Sequence, residues 1–437
     1  MNTLHNERLF RFISESPTAF HAVETARRLL TEAGYKELSE HEVWKLLPGG
    51  KYFATRNHSS IAAFRIPVSP YSHFQIIASH SDSPAFKIKD NGVLSVEEHY
   101  SKLNVEKYGG MIASSWFDRP LSIAGRVFVR TEQGVKEQLV NLDRDLAVIP
   151  NLAVHFNREI NSGYSYNFQK DMPVLIGDCR RKEPLRELIS EELSVSPDDL
   201  LDMDLFLYCR QPGVQMGSDQ EFILCPRLDD LQCAFSSLVG FLASESSETA
   251  VQMSVIFDNE EVGSQTRQGA LSTFLKDCIT RIRDCSGKSV QEHLAALSRS
   301  FLLSADNGHA VHPNHPEKSD VSNRPYLNGG VLLKYNASQR YTTDALSASV
   351  VKELCARNKI PYQTFSNRPD IAGGSTLGNL SISQVSIPTA DIGLAQLAMH
   401  SACETGGAED TESLCRLMTV FYNTDIRLLS DGGFTFA

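Results

Sequence analysis

Five short polar segments of the sequence carry side chains that bind metal ions or move protons. Each lies at or near the end of a predicted strand: residues 80–82, 227–230, 258–263, 304–306 and 399–400. Together they offer two histidines and several carboxylates, and no cysteine. An open α/β sheet collects its ligands beyond the ends of its strands, so we expect these segments to meet in one site.

A mixture of imidazole and carboxylate donors suits zinc, and also cobalt or manganese. A carboxylate shared between two such ions, about 3.5 to 4 Å apart, would form a co-catalytic pair that polarises a carbonyl group and generates hydroxide. The residue types and their positions therefore indicate metal-assisted hydrolysis.

Two pairs within these segments suit distinct tasks. On a strand end or turn, Glu260 and Glu261 point in different directions, so one can bind metal while the other serves as general base. On an extended strand, His80 and Asp82 lie on the same side, which allows Asp82 to orient the imidazole. Taken alone, however, a Glu-Glu pair is more often a solvated turn, and a lone histidine after an apolar run is more often a core residue.

Three further histidines, His309, His312 and His315, form a rival metal-binding pattern. Their spacing would align them on a helix, but Pro313 and Pro316 interrupt any helix beyond His312. We expect them to contact substrate or to stabilise a loop. Residues 373–378 match neither a phosphate-binding loop nor a serine-hydrolase elbow, and no dinucleotide-binding glycine pattern follows a strand.

The elements that position these residues follow from hydrophobic periodicity. An apolar stripe predicts a helix over 19–33, and residues 91–225 have the short Val/Leu-rich runs and turn residues of a β-rich insertion. Strands then alternate with helices, which implies an α/β layer around a central, mostly parallel sheet. The predicted strands are 61–68, 74–78, 125–130, 138–142, 251–257 and 301–305, and the later helices are 231–244, 265–282, 345–357 and 411–423.

Composition limits the classes of function. The net charge of −11, without a long Lys/Arg run, disfavours nucleic-acid binding, and the apolar stretches fall short of the roughly 20 residues that cross a bilayer. The N-terminus lacks a secretory pattern, and the nine cysteines are scattered and never spaced as C-x-x-C. We expect a soluble cytoplasmic protein of two or three domains with reduced, mostly packed thiols.

The order of these motifs resembles the aspartyl aminopeptidase family of metallopeptidases through nearly the whole chain. Because six motifs occur in the same order, the probability of agreement by chance is very small. They are residues 79–84 (Ser-His-Ser-Asp-Ser-Pro), 116–119 (Trp-Phe-Asp-Arg), 226–229 (Pro-Arg-Leu-Asp), 258–264, 304–306 with 309–314, and 399–401 (Met-His-Ser).

The resemblance implies a ligand set for two divalent ions, zinc or else cobalt or manganese. Asp229 would bridge the ions. His80 and Asp306 would complete the coordination of one ion, and Glu261 and His400 would complete that of the other.

The resemblance also implies the remaining roles and the fold. Glu260 would be the general base and Asp82 the orienting carboxylate. The fold would be a zinc-aminopeptidase α/β sandwich domain, residues 1–90 and 226–437, interrupted by a β-rich dimerisation domain, residues 91–225. Family members form tetrahedral dodecamers built from dimers, in which a histidine of this domain enters the neighbouring active site. The matching residue here is His155.

The chain departs from the family pattern at two places. Asp230 stands where members usually carry Asn, which adds negative charge near the metals, and Gly373-Gly374 replaces the usual Cys-Gly. The expected activity is release of N-terminal residues from peptides, preferably Asp or Glu, with Lys334 and His309 contacting the substrate. A broader-specificity member, a non-catalytic assembly or cargo homologue, and another two-metal amide hydrolase such as a deacylase remain alternatives.

Overall fold

The computed structural model describes residues 2–371, 373–430 and 432–436. The chain divides into two compact units. The first comprises Met1–Asp82, Gly213–Met399 and Glu404–Ala437, and the second comprises Ser83–Pro212 with the short segment His400–Cys403. In the described residues, no helix combines the length and the apolar character needed to cross a membrane.

The strands of the described residues are short, and most are buried on at least one face. In chain order they are β1 (Lys36–Glu37), β2 (Lys51–Arg56), β3 (Ser60–Arg65), β4 (His73–His80), β5 (Ala85–Val96), β6 (Tyr100–Tyr108), β7 (Leu121–Thr131), β8 (Gly134–Asn141), β9 (Val174–Gly177), β10 (Leu200–Cys209), β11 (Val214–Met216), β12 (Phe222–Cys225), β13 (Ala250–Phe257), β14 (Phe301–Ala305), β15 (Gly308–His309), β16 (Val331–Tyr335), β17 (Tyr362–Ser366), β18 (Thr389–Leu397), β19 (Glu404–Gly407), β20 (Ile426–Leu428) and β21 (Phe434–Phe436).

The helices alternate with the strands of the first unit. In chain order they are α1 (Asn2–Ser14), α2 (Ala19–Glu32), α3 (Phe168–Asp171), α4 (Pro184–Leu193), α5 (Leu228–Ala243), α6 (Phe274–Ser286), α7 (Val290–Leu297), α8 (Ala345–Asn358), α9 (Leu377–Ser381) and α10 (Asp410–Asn423).

The first unit is built on one large mixed sheet. Its strand order is β1-β2-β3-β13-β4-β14-β18-β19-β12-β11. Outside this path, β15 and β16 pair with β18, and β17 pairs with β16. The four neighbours β13, β4, β14 and β18 are parallel. The strands that flank them on this path, β3 and β19, run antiparallel to β13 and β18. The expectation of a mostly parallel sheet is therefore correct for the centre alone.

Helices cover both faces of this sheet, which explains why β4 and β13 are buried along their whole length. Adjacent residues of β4 show the two layers directly. Ile77 packs in a core with Leu231 of α5 and Leu417 of α10, whereas Ile76 packs in a second core with Phe274 of α6.

The carboxyl ends of the central strands place three predicted site segments at one edge of the sheet. Phe257 at the end of β13 pairs with His80 at the end of β4, and Ser304 of β14 pairs with Ala78. Asp258 and Asp306 therefore follow directly after strands whose ends lie side by side.

The second unit contains a six-stranded sheet of order β8-β7-β10-β5-β6-β9, with antiparallel pairing throughout. The sequence placed the inserted segment at residues 91–225. In the structure the unit begins earlier, because β5 already pairs with β6 at Ala85. It ends earlier as well, because β12 joins the large sheet through β19.

Candidate metal centre and active site

Four buried side chains converge at the edge of the large sheet. His80, Asp229, Asp230 and Asp306 each offer a ligand atom, and these atoms all lie within 4.8 Å of one another. His80 ends β4, Asp306 follows β14, and the two aspartates lie in the first turn of α5, joined by a cis peptide bond. Three of these residues were predicted as ligands, and the structure brings them together.

The imidazole of His80 has a defined orientation. Its Nδ1 lies 3.1 Å from the carbonyl oxygen of Asp82 and 3.3 Å from Asp82 Oδ1. Its Nε2 lies 3.6 Å from Asp229 Oδ1 and 3.9 Å from Asp230 Oδ2. Nδ1 carries a proton because it faces acceptors on Asp82, and Nε2 faces the aspartates. Burial lowers the pKa of His80, but the charges of Asp230 and Asp82 outweigh burial and raise the pKa well above its ordinary value.

Asp82 also fixes the turn that carries the two glutamates. Its Oδ1 accepts a hydrogen bond from the backbone N–H of Glu260 and its Oδ2 accepts one from Glu261, each at 3.1 Å. Asn259 (φ 60°) and Gly263 (φ 97°) bound this turn in left-handed conformations, which asparagine tolerates and glycine adopts without steric cost. One carboxylate therefore positions His80, Glu260 and Glu261.

The carboxyl groups of the site hold protons more tightly than ordinary ones. Burial raises the pKa of Glu260 to about 8, and the negative charge of Asp306 adds to the effect although His80 opposes it. Burial and the charge of Asp229 raise the pKa of Glu261 well above its usual range. Burial raises the pKa of Asp306 to about 6 although Lys334 opposes it.

These shifts have two causes, of which burial is the larger and repulsion between neighbouring carboxylates is the second. Several carboxylates share a dry site, where each disfavours the ionised form of the others. A divalent cation would supply the missing positive charge, and one imidazole nitrogen with several carboxylate oxygens is a donor set that fits zinc, cobalt or manganese. The residues present therefore fit a metal centre.

Two of the three predicted ligands of the second ion, Asp229 and Glu261, belong to the first unit. Ligand atoms of Asp229 and Glu261 lie within 4.8 Å of each other. His400 belongs to the second unit, where its Nδ1 lies 2.6 Å from the carbonyl oxygen of Gly110 and its own carbonyl accepts from Ile112 N. That contact assigns the Nδ1 proton, so Nε2 is the nitrogen able to bind metal. Its role as a ligand stays a prediction.

Sequence reasoning gave no role to two acidic residues that lie near the predicted metal ligands. Asp230 was noted only as a departure, yet it is completely buried within the ligand group, and its Oδ2 accepts from the backbone N–H of His80 at 3.1 Å. Glu404 was not named, and its Oε2 accepts from Asp229 N at 2.9 Å. The adjacent pair Asp229-Asp230 could have indicated from the sequence that Asp230 belongs to the site. Nothing in the sequence distinguishes Glu404 from an ordinary strand residue.

Of the two predicted substrate residues, Lys334 contacts the predicted ligand Asp306, and His309 lines a separate cavity. Lys334 is buried, so the alternative of an ordinary surface lysine is wrong. Its Nζ donates to the carbonyl of Asn307 at 2.7 Å and lies 3.7 Å from Asp306 Oδ1. His309 is exposed and lines a cavity of about 490 Å³ that also includes Lys318 and Arg368. In that cavity His312 and His315 lie on non-helical chain with ring centroids 5.3 Å apart.

His155 lies in the second unit on an irregular, exposed segment. Leu152, Val154 and Phe156 beside it are 58%, 52% and 80% exposed. Such a concentration of exposed apolar side chains is typical of a surface that another protein covers. The predicted catalytic role of His155 remains a prediction.

Comparison with known proteins gives consistent matches over nearly the full length. The family described as "Aminopeptidase I zinc metalloprotease (M18)" matches residues 12–422. The probable M18 family aminopeptidase 2 of Clostridium novyi is 44% identical over 423 residues, covering 95% of this chain and 98% of that protein. Its counterpart in Ectopseudomonas mendocina is 38% identical over 424 residues, covering 95% and 97%.

Solved structures show the same fold. The Ape4 chain in a cryo-EM structure of the Ape4 and Nbr1 complex superposes with a TM-score of 0.93 at 35% identity, covering 97% of this chain and 86% of that one. The mApe1 dodecamer of S. cerevisiae gives a TM-score of 0.85 at 28% identity, covering 95% and 96%.

Proposed function

Because this chain belongs to the M18 family of zinc aminopeptidases, we propose that it removes N-terminal residues, preferably Asp or Glu, with two bridged divalent ions. The observation that carries the two-ion proposal is the buried donor group around Asp229. Ligand atoms of Asp229 lie within 4.8 Å of those of His80 and Asp306, and also within 4.8 Å of one of Glu261. A residue between two sets of donors is placed to bridge two ions.

The residues divide the work of hydrolysis between them. Asp229 would bridge the ions. His80 and Asp306 would hold one ion, and Glu261 and His400 would hold the other. The ions supply polarisation of the scissile carbonyl and acidification of a water molecule.

Glu260 acts on protons rather than on metal. It accepts a proton from the attacking water and returns that proton to the departing amine nitrogen. A positioned carboxylate can take up a proton from water and return it in a later step.

The first experiment tests the metal requirement. The purified protein is chelated, shown by elemental analysis to be metal-free, and assayed after addition of zinc, cobalt, manganese or magnesium. We expect activity to be lost on chelation and restored by the first three ions, because the donors are imidazole and carboxylate groups. Full activity of verified metal-free protein would refute the proposal.

The preference for acidic residues requires a local cation. A protein of net charge −11 repels acidic peptides at long range, so a nearby positive group must overcome this field. Lys334 supplies one beside Asp306, and its ammonium has three donors, of which the Asn307 carbonyl takes one. Lys318 and Arg368, in the cavity lined by His309, add positive charge.

The specificity test compares Lys334→Met with the parent on Asp, Glu, Leu and Ala reporter substrates. We expect kcat/KM to fall about ten- to a hundredfold for Asp and Glu alone, the range for a charge-assisted hydrogen bond. Arg368→Met tests in the same way whether a cation that lines the cavity with His309 adds to this preference. Equal losses on all four substrates would make Lys334 structural, and a parent without acidic preference would favour the broader-specificity alternative.

We also propose that the active form is a homo-oligomer of dimers, up to a dodecamer, working in the cytoplasm. The dodecameric mApe1 relative and the exposed apolar side chains around His155 support the assembly. His155 would then complete the site of a neighbouring subunit. Mixing inactive His155→Ala and Glu260→Gln chains should restore activity in hybrid sites if subunits exchange, and either chain regaining activity alone would count against this role.

A further inference from the structure

Two buried cysteines of the second unit lie next to each other. Cys209 ends β10, Cys403 lies in the segment His400–Cys403, and their sulfur atoms are 3.9 Å apart. All nine cysteines are free thiols. Among the described residues, Cys209 and Cys403 are the two whose sulfur atoms contact each other. The pair is therefore distinct from a lone packed cysteine.

A cation lies against one of the two sulfurs. The guanidinium Nη1 of Arg119 donates to Cys403 Sγ at 3.7 Å and to Gln211 Oε1 at 3.1 Å. Arg119 ends the Trp-Phe-Asp-Arg motif, to which no catalytic role has been assigned above. A neighbouring guanidinium stabilises a thiolate, which is the reactive form of cysteine.

The segment bearing Cys403 also carries metal-site residues. Cys403 lies three residues after His400 and directly before Glu404, whose carboxylate accepts from the backbone of Asp229. Two hydrogen bonds hold this segment in the second unit. Ile112 N donates to the carbonyl of His400, and Ala402 N donates to Ser115 Oγ at 2.9 Å. A displacement of Cys403 would thus be transmitted along a very short stretch of chain.

We propose that Cys209 and Cys403 are a modification site, at which hydrogen peroxide oxidises the two thiols to a reversible disulfide that weakens retention of the metal ions. The effect on peptide cleavage rests on the function proposed above, whereas formation of the disulfide does not. Disulfide sulfurs lie about 2 Å apart, so oxidation draws the two sulfur atoms together by roughly 2 Å and pulls on the chain that carries them. That shift alters how the backbone presents His400 and Glu404.

The chemistry balances with the peroxide as the oxidant. The Cys403 thiolate attacks the O–O bond, forms a sulfenic acid and releases hydroxide, which takes up a proton to become water. The Cys209 sulfur then attacks the Cys403 sulfur, forms the S–S bond and displaces a second water. The two thiols lose two electrons, the peroxide gains two, and both thiol protons end in the two water molecules. A small dithiol reverses the reaction by exchange.

The experiment uses zinc-loaded full-length protein and hydrogen peroxide. Peroxide-treated samples are alkylated, digested and searched by mass spectrometry for the linked peptide, while zinc release to a chromogenic chelator and turnover are followed in the same samples. Cys209→Ser removes the second sulfur. Cys278→Ser is the matched control, because Cys278 is an equally buried thiol that packs in the core of α6.

We expect the parent and Cys278→Ser to form the linked peptide and to release zinc about tenfold faster, the range for disturbing residues behind metal ligands, with reversal by dithiothreitol. Cys209→Ser should show neither change. Absence of the linked peptide in a sample where the exposed Cys285 is oxidised would overturn the proposal. So would a linked peptide with unchanged zinc release, or equal zinc release in Cys209→Ser. A parent that cleaves no aminoacyl substrate would instead refute the proposed function, while peptide linkage and zinc release would still decide this proposal.

Discussion

Asp82 offers the sharpest test of how the active site is organised, because one carboxylate contacts three functional groups. Oδ1 accepts from Glu260 N and faces His80 Nδ1, and Oδ2 accepts from Glu261 N. In Asp82→Asn, an amide NH₂ must replace one of these oxygens. Whichever way the amide is turned, a donor then faces a backbone N–H, so at least one hydrogen bond is lost in a buried place.

The magnitude follows from that geometry. Losing one hydrogen bond to a charged acceptor and leaving a buried N–H unsatisfied costs about 1.5 to 3 kcal/mol in the free energy of unfolding. The turn with Glu260 and Glu261 also loses its fixed position, and we expect kcat to fall about 10- to 100-fold, as for other residues that orient metal ligands. Stability is measured on chelated protein, so that weaker metal binding does not add to the loss.

Asp410→Asn is the matched control for this substitution. Asp410 is also buried, and its Oδ1 and Oδ2 accept from the backbone N–H groups of Gly330 and Asn328, each at 2.8 Å. The control should lose stability by a similar amount and retain its kcat. An Asp82→Asn protein with lower stability but unchanged kcat would refute the positioning role, and an equal fall of kcat in both variants would show that the rate merely follows stability.

Three further predictions concern the base, the bridge and the response to pH. Glu260→Gln should retain both metal ions and lower kcat roughly 10²- to 10⁴-fold, because only the proton carrier is lost; a loss of metal in elemental analysis would contradict that assignment. Asp229→Asn should instead lower metal occupancy itself, and unchanged metal content would exclude it as the bridge. Burial lowers the pKa of His21 to about 4, with Arg227 acting in the same direction, so the native state keeps this ring neutral. The free energy of unfolding should therefore fall as the pH decreases from about 6.5 to 4, by up to about 3 kcal/mol from this residue. His21→Gln should show a smaller fall than the parent in denaturant titrations, and identical pH profiles would contradict the prediction.

Periodicity predicted the elements of the sheet well wherever burial is continuous. The strand expected at 301–305 is β14 (Phe301–Ala305), and the helix expected at 345–357 is α8 (Ala345–Asn358). The helix expected over 265–282 begins only at Phe274, because residues 265–273 carry polar and turn-forming side chains that close the loop after the glutamates. Helix α1 (Asn2–Ser14) was missed, since its apolar stripe of Leu9, Phe12 and Ile13 is short and lacks a clear start signal.

The ligand set was accessible from the sequence for a different reason. Metal chemistry restricts the usable side chains to a few types, and the parallel strands bring their following residues to one edge, so position and type together predicted that these segments meet. The family resemblance supplied the individual ligand roles of His80, Asp229 and Asp306, which stay predictions. Roles that depend on which atom faces which partner could not be read in this way. Asp82 has one such role, since its two carboxylate oxygens accept from two backbone N–H groups. This role depends on the conformation of the turn at Asn259.

The charge balance of the site could not be predicted from the sequence, and Lys334 shows why. In the sequence it follows an apolar run, a position that fits a surface strand end as well as a buried one. In the structure its ammonium lies 3.7 Å from Asp306 Oδ1, and burial alone would drive a lysine to lose its proton. The neighbouring Asp306 outweighs that effect and keeps the pKa of Lys334 above its ordinary value. The buried acidic group thus contains one permanent cation, which offsets part of the repulsion that Asp230 adds. The proposed contact of an acidic substrate with this ammonium would draw it away from Asp306, a predicted metal ligand, so the proposed selectivity and the electrostatics of the site would be coupled through Lys334.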